Sequence, residues 1–338
     1  MRDRVVFTHW THPDIIDELG IECEVVAPPA KDVFSADEVR RLCRTARAVV
    51  MCMADSLEES FLLDCPELTI VATVLKGYDN FDVEACTRHG VWFTNVPDSL
   101  TAPTAELTIG LLLGLGRNIR AGDELVRSGD FQGWRPRLYG VGLAGGTVGL
   151  VGMGEIGRAV ARRLSPFDAT LLYADPRPLP EADPLREHVQ QVELMELLRR
   201  SDFVVLLAPL LETTRYLIDA DRLASCKRGA YLVNVGRGSV VDEEAVAASL
   251  SAGHLAGYAA EVFAMEDWVL PGRPDGIPES LRQNADRTLF TPHLGSAVEA
   301  ARREISLTAV MNVRQTLLGQ IPPNAVNHPP SPRFPLRK

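Results

Sequence analysis

The feature that most constrains this chain is the run Gly152, Met153, Gly154, Glu155, Ile156, Gly157, placed directly after the apolar stretch Thr147–Val151. A second apolar stretch, Thr170–Ala174, follows and closes on Asp175. A buried strand, a glycine turn, a helix and a second strand ending in a carboxylate compose a dinucleotide-binding βαβ unit. In such a unit the first glycine permits the tight turn, the second lets a pyrophosphate approach the backbone, and the third lets the helix pack on the strand. The N–H groups at the helix start, with the helix dipole behind them, favour the pyrophosphate's negative charge. A carboxylate at Asp175 accepts hydrogen bonds from the adenosine ribose and repels a 2′-phosphate, which predicts NAD over NADP; Arg177, two residues on, softens that discrimination.

A chain of 338 residues exceeds one ordinary core, so two domains are expected. At 46% hydrophobic and 24% charged residues it reads as a globular, cytoplasmic protein, and its net charge of −10 argues against nucleic-acid or anionic-membrane partners. The segment Met1–Arg4 runs straight into a strand-like stretch with no secretory h-region, and the apolar stretch Ile109–Leu115 is too short to span a bilayer. The six cysteines show no C-x-x-C pairing, so reduced buried thiols are expected and a metal site is not.

Strand-like segments alternate with amphipathic ones throughout. In the first part the strands are Val5–Thr8, Val25–Ala27, Ala48–Met51, Ile70–Val74 and Val91–Asn95; the helical stretches include Ala36–Arg44 and Leu57–Leu63. A long helix is expected to start near Pro103, with Thr101 or Thr104 at its cap, and to run through Ile119 towards Val126. The central part adds Val148–Val151, Leu171–Ala174, Phe203–Leu207, Tyr231–Val235 and Gly257–Val262, whose near-continuous apolar character fits a parallel sheet covered on both faces. Asp267–Asn284 reads as a loop, Ser296–Leu318 as a last helix, and the stretch from Pro322 as a proline-rich arm or frayed end closing on a basic cluster. The expected fold is α/β: two Rossmann-like or flavodoxin-like domains with parallel sheets and a cofactor cleft between them. Residues 1–100 with 296–325 form a discontinuous substrate-binding domain, 101–295 the dinucleotide-binding domain, and 326–338 the tail.

Three strand ends carry candidate chemistry. Arg237 lies in the glycine-flanked turn Asn234–Ser239, where its planar fork matches two oxygens of an anion. Glu266 follows the strand ending at Val262, and His293 follows Leu289 and Phe290. A glutamate beside a histidine fixes the imidazole tautomer and favours its charged form, the arrangement of a proton-transfer group.

The glycine run, the Asn234–Gly238 turn, Glu266 and the segment Thr291–Ser296 together resemble the D-isomer-specific 2-hydroxyacid dehydrogenase family, from about Val5 to Ile321. The resemblance implies NAD in the interdomain cleft, a homodimer, and a trio of Arg237 on the substrate anion, His293 moving the proton and Glu266 supporting it. It further implies cofactor contacts from Gly152, Gly154, Glu155, Ile156, Gly157, Asp175, Leu207, Ala208, Pro209, Val235, Gly236, Arg237 and Thr104. Glu261, where the family usually shows aspartate, is the implied partner of the nicotinamide carboxamide.

A narrower resemblance, to the phosphite (phosphonate) dehydrogenases within that family, is carried by Ala72–Asp82, Arg127–Trp134, Tyr139 with Gly140, Met265–Trp268 and Pro292–Val298. It implies that Lys76, Gly77, Arg237, Met53, Arg302, Trp134, Tyr139 and Ser296 surround a small anionic substrate, with Trp134 and Tyr139 arriving from a partner subunit. Two cations suit a largely dianionic tetrahedral anion, so the expected reaction is NAD-dependent oxidation of phosphite to phosphate, with water as oxygen donor. Both Arg237 and His293 are candidates for its base. The rival enzyme reading is a D-2-hydroxyacid dehydrogenase or glyoxylate/hydroxypyruvate reductase using the same trio, with His293 as acid. A nucleotide-sensing scaffold without turnover is disfavoured by the intact trio and the lack of a long interaction tail.

Overall fold

The computed structural model describes residues 2–29 and 31–333; the basic end of the tail, Arg337 and Lys338, lies outside them, as does Met1. The chain divides into two compact units, Met1–Leu100 with Ala297–Lys338, and Thr101–Ser296.

The first unit holds a five-stranded parallel sheet of β1 (Arg4–Phe7), β2 (Glu24–Val26), β3 (Ala48–Met51), β4 (Ile70–Thr73) and β5 (Trp92–Thr94), in the order β2-β1-β3-β4-β5. Its crossover helices are α1 (Pro13–Gly20), α2 (Ala36–Cys43), α3 (Glu59–Asp64) and α4 (Val83–Arg88). A capping box starts α2: the Glu38 N–H donates to Ser35 Oγ while the Ser35 N–H donates to the Glu38 carboxylate. The sheet is buried on both faces, which is why its strands read as unbroken apolar runs. The last helix, α12 (Glu299–Leu317), covers one of those faces, setting Ile305, Ala309, Val310 and Val313 among Val5, Phe7, Ile70 and Trp92. After α12 the chain does not fray: Asn327 Oδ1 accepts the Phe93 N–H at 2.7 Å, and the Arg333 guanidinium donates to the carbonyls of Leu62, Cys65 and Leu68. The expected free arm is therefore tied down through Arg333, because those carbonyls at and after the end of α3 have no helical partner of their own.

The second unit begins with α5 (Thr101–Gly116) and α6 (Ile119–Arg127), followed by the strands β6 (Thr147–Val151), β7 (Thr170–Ala174), β8 (Val189–Gln191), β9 (Phe203–Leu206), β10 (Tyr231–Asn234), β11 (Gly257–Ala260) and β12 (Thr288–Phe290). Helices α7 (Glu155–Leu164), α8 (Leu194–Arg200), α9 (Ala220–Ser225), α10 (Glu243–Ser251) and α11 (Glu279–Gln283) lie among them. All seven strands are parallel, in the order β12-β11-β10-β9-β6-β7-β8. Chain order reverses between β6 and β9, the switch point at which open α/β sheets bind ligands beyond their strand ends.

The single long helix expected from Pro103 to Val126 is two helices. Asn118 takes a left-handed φ of 52° between them, and its amide donates to the carbonyls of Leu138 and Tyr139. The Val141 N–H meanwhile takes the Gly116 carbonyl at 2.7 Å, so the returning segment replaces the next helical turn. A Cβ at Gly116 would stand 2.9 Å from the Val141 carbonyl oxygen and 3.0 Å from the Phe203 ring, so that close approach requires glycine. The expected loop Asp267–Asn284 contains the short helix α11. No helix among the described residues is long and apolar enough to cross a membrane.

Candidate active site

Because the strands of the second unit are parallel, the residues following them share one rim. Gly152 follows β6, Asp175 follows β7, Leu207 to Pro209 follow β9, Val235 to Arg237 follow β10, Glu261 follows β11 and His293 lies three residues beyond β12. The glycine turn meets its steric requirements. Gly152 has φ 103°, and a Cβ on Gly157 would stand 2.4 Å from the Gly152 carbonyl oxygen, so helix and strand touch there only through glycine. At Gly154, the N-cap of α7, a Cβ would meet nothing within 4 Å, which leaves an open cradle above the first N–H groups of that helix. Those residues fit a pyrophosphate. Asp175 is fixed against the same turn: it accepts the Met153 N–H at 2.8 Å and the Arg177 N–H at 2.9 Å. Glu155 and Ile156 open α7, Leu207 is half-buried, Ala208 buried and Pro209 exposed. Thr104 is buried in α5 and lies beside Gly295.

The Arg237 turn is built from its own asparagine: Asn234 Oδ1 accepts the Gly236 N–H at 3.1 Å, and Asn234 Nδ2 donates to the Arg237 carbonyl at 2.9 Å. A Cβ at Gly236 would stand 2.6 Å from the Ala208 carbonyl oxygen, and one at Gly238 would stand 1.9 Å from the carbonyl carbon of Phe263. Glycine at 238 therefore lets the arginine turn lie directly on the turn that carries Glu266. Arg237 is half-buried and donates to the Gly236 carbonyl at 3.0 Å.

Glu266 uses both oxygens. Oε1 accepts the Phe263 N–H at 2.8 Å, closing its own turn, and Oε2 lies 2.7 Å from His293 Nδ1. A carboxylate only accepts, so Nδ1 carries the hydrogen and Nε2 is the nitrogen left to exchange a proton with a substrate. Glu266 and His293 are thus brought together as expected, and Arg237 stands in the adjoining turn.

Two supports for this arrangement are not visible in the sequence. Asp267 accepts the Ser239 N–H at 2.7 Å, pinning the arginine turn, and Glu243 Oε1 accepts the Ala264 N–H at 2.9 Å, pinning the glutamate turn. Asp267 adjoins Glu266, a weak signal; Glu243 looks like an ordinary acidic first-turn residue of α10 and gives none. Burial pushes the Glu243 carboxyl up to about 7, with Asp267 and Glu266 adding repulsion. A raised acid binds its proton more tightly folded than unfolded, so its contribution is full below pH 4 to 5 and is lost as pH rises to about 7, by up to about 3 kcal/mol. Glu243→Gln keeps the acceptor and removes the charge. It is expected to raise the unfolding temperature by several degrees at pH 8 and to leave it unchanged at pH 4.5, as differential scanning calorimetry would read.

In the first unit, Met53 follows β3 and Lys76 with Gly77 follow β4, its sheet neighbour, so these expected substrate residues share one strand-end rim. Asp55 shapes the Met53 loop by accepting the Cys52 N–H at 2.7 Å and the Thr8 hydroxyl, and burial raises its pKa. Arg302 is half-buried near the start of α12, where burial lowers its pKa. Trp134 and Tyr139, expected to line a pocket, are 77% and 76% exposed, and Ser296 is half-buried at the end of the second unit. All six cysteines are free and buried, and no cluster of His, Cys, Asp or Glu among the described residues is placed to hold a metal.

A parallel sheet with this switch point, glycine cradle and Arg–Glu–His rim defines a nicotinamide-dependent oxidoreductase. Residues 109–295 match the model of the D-isomer specific 2-hydroxyacid dehydrogenase, NAD binding domain. A glyoxylate reductase of Thermofilum pendens is 35% identical over 321 residues, 93% of this chain and 92% of that protein. Another, of Pyrococcus furiosus, is 34% identical over 332 residues, 97% of this chain and 96% of that one. Among solved structures, the NADPH-dependent glyoxylate/hydroxypyruvate reductase of Sinorhizobium meliloti, in complex with NADP and malonate, superposes with a TM-score of 0.81 at 28% identity over the full length of both chains. The chain belongs to the D-isomer specific 2-hydroxyacid dehydrogenase family, and it binds NAD.

These relatives overturn the expectation of phosphite oxidation. Proteins matching nearly the whole chain are named glyoxylate reductases, so the segments around Lys76 do not mark a phosphite enzyme. The physical reason lies in the argument from charge: a lysine is a point charge and serves a carboxylate as well as a phosphite.

Proposed function

We propose that this protein is an NADH-dependent reductase of small 2-oxo acids, glyoxylate and hydroxypyruvate foremost. The observation that carries this reading is the Glu266–His293 pair, whose geometry leaves Nε2 to supply a proton to a nascent hydroxyl, in a chain similar over nearly its whole length to glyoxylate reductases. Bound NADH supplies the hydride that the carbonyl carbon receives. Arg237 holds the substrate carboxylate through its paired N–H donors and draws charge from the adjacent carbonyl oxygen. His293, as imidazolium, gives its Nε2 proton to that oxygen, and Glu266 stabilises the charged ring beforehand and keeps the tautomer afterwards. Ser296 adds a hydroxyl in the second unit, and Lys76, Gly77, Met53 and Arg302 are the substrate-binding residues proposed for the first unit taken by itself. Glu155, Ile156, Leu207, Ala208, Pro209, Val235, Gly236 and Thr104 complete the dinucleotide's surroundings. Steady-state assays with glyoxylate, hydroxypyruvate and pyruvate test this: turnover is expected with the first two, and NADH is preferred over NADPH because Asp175 faces the site of a 2′-phosphate. Absence of turnover with all three would end the proposal.

We also propose a homodimer. Phe131, Trp134 and Tyr139 expose large apolar surfaces in the segment after α6, and Ile119 and Val126 of α6 itself are exposed as well. Sedimentation velocity is expected to show a dimer, and Phe131→Glu with Trp134→Glu to shift it to monomer; a parent protein sedimenting as monomer would contradict this.

A further inference from the structure

Glu261 stands where the resemblance implies a contact to the nicotinamide carboxamide, and its surroundings give its carboxylate other partners. The residue is 2% exposed. Oε1 accepts the Gly295 N–H at 2.8 Å; Oε2 accepts the Leu294 N–H at 2.8 Å and the Thr291 hydroxyl at 3.4 Å. Its own carbonyl accepts the His293 N–H at 3.0 Å. The N–H groups of residues 294 and 295 thus end on the Glu261 carboxylate, and that of residue 293 is shared between the Glu261 and Thr291 carbonyls, each at 3.0 Å; with the Thr291 hydroxyl, three of the carboxylate's roughly four lone-pair positions are taken.

What this clamp holds is unusual. His293 has φ 55°, the left-handed region, which costs a residue with a Cβ about 1–2 kcal/mol and persists only where the surroundings impose it. Gly295 seals the clamp: a Cβ there would stand 2.5 Å from Glu261 Oε1 and 3.0 Å from Thr104 Oγ1. The ring end of His293 is tied separately, to Glu266 from another turn. We infer that Glu261 is a positioning residue for His293: its carboxylate fixes the backbone of residues 294 and 295 directly after the left-handed bend that delivers the imidazole to Glu266. The glutamate's extra methylene, relative to the family's usual aspartate, supplies the reach to two consecutive N–H groups.

The kinetic part of the test rests on the proposed 2-oxo acid reduction; the chemical part does not. Glu261→Gln sets an amide NH₂ against a backbone N–H, and Gly295→Ala intrudes on Oε1 without changing any charge. In both variants kcat for glyoxylate is expected to fall at least about tenfold while the NADH dissociation constant, read by nicotinamide fluorescence, stays within about twofold. Carbethoxylation of His293 by diethyl pyrocarbonate, followed by mass spectrometry without substrate, is expected to proceed at least about threefold faster than in the parent as the ring is released. NADH binding weakened about tenfold with kcat unchanged at saturating cofactor would overturn the inference in favour of a nicotinamide contact. His293 modified at the parental rate in the variants would overturn it as well. If Glu261→Gln fails to fold, Gly295→Ala decides alone. A parent inactive on every 2-oxo acid would refute the proposed function, and the carbethoxylation rates would still decide the role of Glu261.

Discussion

Replacing His293 with asparagine is expected to lower kcat for glyoxylate reduction by about 10²–10⁴, the range that a positioned general acid contributes. Asparagine keeps a polar group near Glu266 and, among residues with a Cβ, is one of those that best tolerate the left-handed φ of 55° at this position. The backbone bend therefore survives and the loss reports proton transfer. NADH binding, proposed to rest on the Gly152–Gly157 turn and Asp175, is expected to be unchanged. Steady-state kinetics beside fluorescence titration separate the two. A variant retaining more than about half of the parental kcat would remove His293 from the chemistry.

The second large effect belongs to Arg237. Lysine in its place keeps the charge and loses the planar fork, so a carboxylate is met by one ammonium in place of two parallel N–H donors. The expected cost in kcat/KM is about 10²–10³, comparable to removing one charge-stabilising donor from an acyl-transfer site. Arg237→Lys is expected to raise the KM for glyoxylate as well as to lower kcat, because in the proposed mechanism the same fork holds the ground-state carboxylate and the developing alkoxide. A change confined to the KM for NADH would assign Arg237 to the cofactor instead. Thermal unfolding of the variant should stay within a few degrees of the parent, since Asn234, Gly236 and Gly238 shape the turn and the guanidinium adds one bond to the Gly236 carbonyl within it.

The glycine cradle and Asp175 were legible in the sequence because their requirement is a backbone one: a Cβ is excluded at Gly157 whatever else surrounds it. The Arg237 turn was legible for the same reason, as glycine at 236 and 238 is what lets it approach Ala208 and Phe263. The core strands were legible because parallel sheets buried on both faces read as apolar runs. By contrast β8, Val189 to Gln191, and β12, Thr288 to Phe290, are three residues each and too short to show a period. The break at Asn118 depends on a segment more than twenty residues downstream taking the Gly116 carbonyl, which no local pattern records. The backbone bonds of Glu261 and Glu243 leave no trace in the local sequence because their partners lie far along the chain: Leu294 and Gly295 for one, Ala264 for the other. The substrate was misassigned for a related reason. Cations such as Lys76 and Arg237 suit an anion of either shape, because a tetrahedral and a planar anion ask for the same charges.

Reduction of a 2-oxo acid by hydride transfer is tested by following the hydride itself. The protein is incubated with hydroxypyruvate and NADH deuterated at nicotinamide C4 on the transferred face, and the product is analysed by mass spectrometry after chiral separation. The expected product is glycerate of D configuration carrying one deuterium at C2. Recovery of unchanged hydroxypyruvate, or of glycerate without deuterium at C2, would contradict it.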